Sequence, residues 1–112
     1  MERIETTILK NLIFNEEYSR KVLPFRQNEY FESYHEKVVF EEIAKFIIEY
    51  GNLPSKEAIV IESEKRTDIS DEGFKDISTL VTDLNEEKSD LQWLFDTTEK
   101  WCRDRAIYLA LV

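Results

Sequence analysis

Cysteine occurs once in these 112 residues, and glycine and proline twice each. One cysteine excludes a disulfide framework, and together with a single histidine it cannot build a Cys/His zinc site. With so few glycines and prolines there are few points at which a helix must stop, so a mostly helical chain is expected. Both glycines stand alone, so this stretch holds no glycine-rich phosphate loop and no ATP site of that kind. A basic excess is also missing: 15 Lys and Arg face 24 Asp and Glu, for a formal charge of −9. Such a domain repels phosphate backbones, whereas nucleic-acid binders usually carry a basic stripe. The local basic clusters, Arg20-Lys21 with Arg26 and Lys100 with Arg103 and Arg105, sit among carboxylates and read as solvated helix faces. Long apolar runs are absent too. The longest, Ala106 to Val112, is far too short to span a membrane, and the charged start Met1-Glu2-Arg3-Ile4-Glu5 is not a targeting segment. A soluble protein of a reducing, cytoplasmic compartment is expected.

What is present is a core. Hydrophobic residues make up 42% and include seven Phe, five Tyr and two Trp, too many for a disordered acidic tail. A chain of 13.4 kDa hides roughly two-thirds of its extended surface on folding, enough for one modest core and one domain. Ile4, Ile8, Leu9 and Leu12 recur at helical spacing and mark a first helix. Asn15 is placed to cap a second, with Glu16 and Glu17 at its positive end, and this helix carries Tyr18, Val22 and Leu23 until Pro24 stops it. Phe25 to Phe31 reads as a connector with a short helical turn.

Ser33 with Glu36 has the pattern of a capping box. The helix it opens places Val39, Phe40, Ile43, Phe46, Ile47 and Tyr50 on one face, and Gly51-Asn52 ends it with a left-handed residue. Ser55 caps a weaker helix through about Arg66. Ser70, Asp71 and Glu72 open another, with Phe74, Ile77, Leu80, Val81 and Leu84 inward. Ser89 with Gln92 makes a second capping-box pattern for the last helix. The expected fold is therefore all-α: a compact bundle of about six helices, with a globular body over 1–88 and a final helix over 89–112.

That last helix has two apolar sides. Leu91, Leu94, Phe95, Thr98, Trp101, Cys102, Tyr108, Leu109 and Val112 share one broad face, while Trp93, Ile107 and Leu111 fall opposite. One core cannot bury both, so Trp93, Ile107 and Leu111 are the candidate contact residues for another helix or subunit. Trp101 is expected in the core and Trp93 at an interface, where tryptophan is common. No stop signal follows Leu111-Val112, so the chain is expected to continue in a longer protein.

Candidates for chemistry are few. His35 lies in the first turn of a helix, where the macrodipole disfavours a charged ring, so packing or hydrogen bonding is its expected part. Cys102, on the apolar face of the last helix, is expected to be an inert thiol, although Arg103 and Arg105 could lower its pKa. The acidic groups Glu29 with Glu32, Glu86-Glu87 with Asp90, and Asp68 with Asp71 and Glu72 have the three- or four-residue spacing of helical Mg²⁺ sites. All fall at helix starts or in loops, where capping accounts for them, and a magnesium cage needs groups converging from facing helices. No catalytic, cofactor or metal residue is assigned here.

Four stretches resemble the N-terminal domain of replicative hexameric helicases of the DnaB type, in the form found in phages. They are Ile8-Leu9-Lys10-Asn11-Leu12-Ile13-Phe14-Asn15; Val22-Leu23-Pro24-Phe25 with Glu29-Tyr30-Phe31-Glu32-Ser33; His35, Val39-Phe40, Ile43 and Tyr50-Gly51-Asn52-Leu53-Pro54-Ser55; and Trp93-Leu94, Thr98-Glu99-Lys100 and Arg105-Ala106. Their order and spacing carry the likeness, which covers most of the chain. The resemblance implies a helical body followed by a helical hairpin that pairs between subunits as a collar on a hexameric ring. It also implies ATP and Mg²⁺ bound by a motor domain beyond Val112, which also grips single-stranded DNA. Primase and helicase loader are the implied partners, and the host cytoplasm the implied setting. Two readings from other classes stand beside it: a small Mg²⁺-dependent nucleotide hydrolase using the acidic clusters, and a free-standing acidic adaptor.

Overall fold

Asn15 ends one helix and begins the next. The computed structural model describes residues 2–23, 28–87 and 89–111, and in it Asn15 Oδ1 accepts the Tyr18 backbone N–H at 3.1 Å. This cap separates α1 (Ile4–Phe14) from α2 (Glu16–Val22). The expected stop at Pro24, and Phe25 and Arg26 of the connector, lie outside the described residues, as does Val112. The chain returns in a 3-10 turn at Asn28–Tyr30, where a helical turn was expected. Then follow α3 (Tyr34–Tyr50), α4 (Lys56–Glu64), α5 (Asp71–Asp83) and α6 (Leu91–Leu111). Among the described residues the fold is all-α, with six α-helices and no strand.

The caps explain most of the boundaries. Ser55 Oγ accepts the Ala58 N–H at 3.0 Å and Ser70 Oγ that of Gly73 at 3.0 Å, each satisfying an amide that the first turn leaves without a partner. Gly51 closes α3 at φ 69°, the left-handed conformation that glycine adopts without a Cβ penalty. Two boundaries differ from expectation. The side chain of Ser33 makes no cap bond, and Glu36 also holds a distant partner, Arg3, whose Nη1 lies 3.1 Å from its Oε2. The start of α6 is capped by Asp90 rather than Ser89: Asp90 Oδ2 accepts the Trp93 N–H at 2.9 Å, and Gln92 donates forward to Asp96 instead of back. In addition α4 ends at Glu64, because Arg66 leaves the helix to bind carboxylates on α3.

α1 is the central helix. Seven consecutive residues, Thr7 to Ile13, are buried, as expected for a helix packed on nearly all sides. It rests against α2, α3 and α6, while α3 also packs on α4 and α5, which pack on each other. Lys10 is enclosed as well, its Nζ held 2.9 Å from Glu2. The core joins Leu9, Leu12, Tyr18, Val38, Val39, Ile43, Ile59, Ile77, Val81, Leu84 and Leu94. Tyr50, expected on the inward face of α3, is exposed: at the last turn of the helix its ring packs on Phe46 of the same helix rather than on the core.

Candidate interaction surface on the last helix

α6 has 21 residues and is about 31 Å long at 1.5 Å per residue, close to the 35 × 33 × 30 Å extent of the whole molecule. Its first half belongs to the body. Leu94 and Thr98 are buried, with Leu91, Phe95 and Trp101 partly so. Thr98 Oγ1 and the Tyr18 hydroxyl share a hydrogen bond of 2.6 Å, and burial pushes the phenol's pKa well above its usual range. The Tyr18 ring stacks on Phe95 at 5.8 Å, and Trp101 packs on Phe31 at 4.9 Å. Trp101 is thus packed against the core and only partly buried, on the side where the helical wheel places it.

The body's hold on α6 ends at Arg105. Its Nε donates to the Tyr30 carbonyl at 2.6 Å, and its guanidinium lies over the Tyr108 ring at 4.8 Å. Past it, Ala106, Ile107, Tyr108, Ala110 and Leu111 are all exposed and only Leu109 is partly covered. Ile107 is 60% exposed and Leu111 81%. These two, one turn apart, form an apolar tip that Tyr108 joins. Tyr108 was expected on the buried face but is 50% exposed; helical periodicity places it correctly around the axis, but the body no longer reaches that far along it.

Trp93 is also exposed, at 50%, yet it stands apart from the tip. It is 14 residues from Ile107, about 21 Å along the axis. The turns between them on that side carry Asp96, and Lys100 paired with Asp104 at 2.7 Å. The stripe read from the sequence is therefore two patches with a charged middle. Periodicity also missed Ile48 on α3 and Ile61 on α4, both exposed.

The remaining candidates resolve into local contacts. His35 Nε2 is 3.7 Å from Asp76 on α5. The Cys102 thiol is half-buried and burial pushes its pKa up, so Arg103 and Arg105 do not activate it. Asp90 is a cap; Asp71 and Glu72 occupy the first turn of α5. Asp68 is gripped by Arg66 at 2.7 Å, which holds its carboxyl down at about 2. Glu32 lies 3.9 Å from Arg105 and Glu87 3.8 Å from Lys10. Among the described residues no three of His, Cys, Asp or Glu are grouped to hold a metal ion.

These features define an all-helical domain whose last helix leaves its body with an apolar tip. No protein-family model matches the chain. Over 103 residues it is 34% identical to a DnaB-like replicative helicase of Enterobacteria phage T4. That alignment covers 92% of this chain but 22% of the phage protein, and it falls in the N-terminal part of that protein. This chain is thus similar to one DnaB-like replicative helicase over about a fifth of that protein's length.

Proposed function

We propose that the chain is a non-catalytic assembly and partner-docking domain of a phage replicative DNA helicase. The observation that supports this most is the bare tip of α6, with Ile107, Tyr108 and Leu111 exposed on a chain related to a replicative helicase. Apolar side chains one turn apart on a projecting helix bury area once a second helix lies alongside. In this reading that second helix completes a hairpin, and hairpins of neighbouring subunits pair as the collar of a hexamer. ATP and Mg²⁺ serve a motor domain of the longer protein, which also grips single-stranded DNA, since a domain at −9 repels phosphates. Primase and helicase loader are the partners, in the host cytoplasm. Trp93, near the other end of α6, is a separate contact point.

The test compares the full-length protein with its Ile107→Lys, Leu111→Lys double variant. Wild type forms ATP-dependent hexamers by sedimentation, and the double variant assembles far less. Unaltered assembly of the double variant removes the tip from the interface. A wild-type protein that stays monomeric and inert toward ATP on single-stranded DNA removes the helicase reading altogether.

A further inference from the structure

The outward side of α6 carries a repeat. Trp93, Thr97, Lys100, Asp104, Ile107 and Leu111 follow one another at alternating steps of four and three residues. At about 100° per residue they fall within about 80° of the helix circumference. Thr97 is partly covered and the other five are exposed. Leu94 and Thr98, which hold the helix to its body, are buried about a third of a turn away. Alternating steps of four and three are the spacing of a coiled-coil seam, along which two helices pack over their length.

The order of side chains along this seam matches its own reverse. Laid antiparallel about a two-fold axis beside Cys102, two copies set Trp93 opposite Leu111, Thr97 opposite Ile107 and Lys100 opposite Asp104, each pair occurring twice. The ends are apolar and the middle joins cation to anion. Laid parallel, the same seam sets Lys100 against Lys100 and Asp104 against Asp104. Within one chain Lys100 Nζ lies 2.7 Å from Asp104, both side chains more than half exposed. In the antiparallel pair each also meets its counterpart across the axis, so four charges close into a ring. Net charge does not oppose the contact. Residues 31–90 hold 16 of the 24 acidic side chains and 7 of the 15 basic ones, and the stretches on either side are each neutral. The whole excess of −9 therefore belongs to the half built from α3, α4 and α5, and α6 meets a second α6 with no net charge on either.

We infer that the outward side of α6 is the interface for a second copy of this chain, the two helices antiparallel, with Trp93 of each copy packed on Leu111 of the other. Trp93 and the apolar tip, two patches on one protomer, become a single contact at each end of the pair. The seam selects this occupant, because a reversed copy of α6 supplies at every position a side chain that suits the one it meets. The apolar ends give affinity, and the charged middle fixes direction and register. The seam is short, so the pair is reversible rather than obligate. Tyr108 lies outside the seam, so a second hairpin arm can cover it while a neighbouring α6 covers the rest. The inference deepens the proposed function and rests on one part of it, the pairing of subunits through α6; neither ATP nor a motor domain enters it.

The experiment is sedimentation of the 112-residue chain together with disulfide mapping. Wild type dimerises reversibly as its concentration rises. Lys100→Glu and Asp104→Lys each weaken self-association by about threefold or more, because each sets like charges across the axis. An equimolar mixture of the two recovers it, since each variant then offers the charge that the other needs; an effect confined to one helix would not be recovered by mixing. In a Cys102→Ala background, oxidation of mixed Thr97→Cys and Ile107→Cys chains gives a cross-linked heterodimer at about five times or more the yield of either variant with itself, because a disulfide joins only positions that face each other. A wild type that stays monomeric, or a mixture of charge variants that recovers nothing while circular dichroism is unchanged, overturns the inference. Cross-linking of each cysteine variant with itself but not with the other overturns it too, by showing a parallel pair; subunit pairing, and with it the proposed function, would survive that result. A full-length protein inert toward ATP on single-stranded DNA removes the helicase reading and leaves this pairing untouched.

Discussion

Two hydroxyls, 80 residues apart in sequence, tie α2 to α6. Tyr18 and Thr98 are both buried and share a bond of 2.6 Å. Removing either partner strands the other without water, at a cost of about 1–3 kcal/mol. Tyr18→Phe and Thr98→Val are each expected to lower stability by that order in urea unfolding, and the double variant by clearly less than the two losses combined. Additive losses would show that the pair is not coupled. Glu36 gives a pH signature. Burial raises its pKa, and Arg3 opposes the rise without cancelling it. The folded state therefore prefers the protonated acid more than the unfolded chain does. That contribution is complete below the unfolded pKa and is lost as pH climbs through the higher folded value. Wild type should accordingly lose stability relative to Glu36→Gln as pH rises above the ordinary glutamate value of about 4.3. A difference that stays flat over that rise would contradict this account. Neither contact is written in the sequence: Tyr18 and Thr98 are each legible as inward-facing, but their meeting depends on how two helices cross.

Helix boundaries were the most legible level. Asn15, Ser55, Ser70 and Gly51 act where their chemistry places them, because a cap needs only its own residue and the next three. The failures share a cause. Ser33 and Glu36 fit a capping box, yet the serine hydroxyl makes no cap bond, and Glu36 pairs with a long-range partner, Arg3. Ser89 and Gln92 fit one too, yet the neighbouring Asp90 is as good a cap and takes the start one residue later. The two assignments separate in thermal or urea unfolding: Asp90→Ala should cost about 1 kcal/mol and Ser89→Ala nearly nothing. The reverse order would restore the serine cap. On α6, periodicity found both apolar sides, including the exposure of Trp93, Ile107 and Leu111. It does not find where the body ends along the axis, so Tyr108 on α6 reads as inside when it stands outside.

At the scale of the molecule, the all-helical class was legible from the scarcity of breakers. The likeness to the N-terminal part of a replicative helicase is legible only from four short patterns in order, each of them weak by itself. The uneven charge was present in the residue counts but carries no meaning until the fold gathers residues 31–90 around α3, α4 and α5. Once gathered, this charge has a thermodynamic consequence, because like charges on one half repel one another. Two substitutions that reduce the net negative charge equally should then act in opposite directions. Glu64 ends α4 within the acidic half, where a cation also suits the negative end of the helix dipole. Glu16 opens α2 in a neutral stretch, favours the positive end of its helix, and pairs with Arg20 at 2.6 Å. Glu64→Lys is expected to raise stability by a few tenths to about 1 kcal/mol, and Glu16→Lys to lower it by a similar amount, both at low salt. Adding sodium chloride should shrink both effects, since exposed charges are screened within about 10 Å at 0.1 M. If both substitutions shifted the urea midpoint in the same direction, total charge rather than its placement would govern the stability of this domain, and the separation of an acidic from a neutral half would have no energetic content.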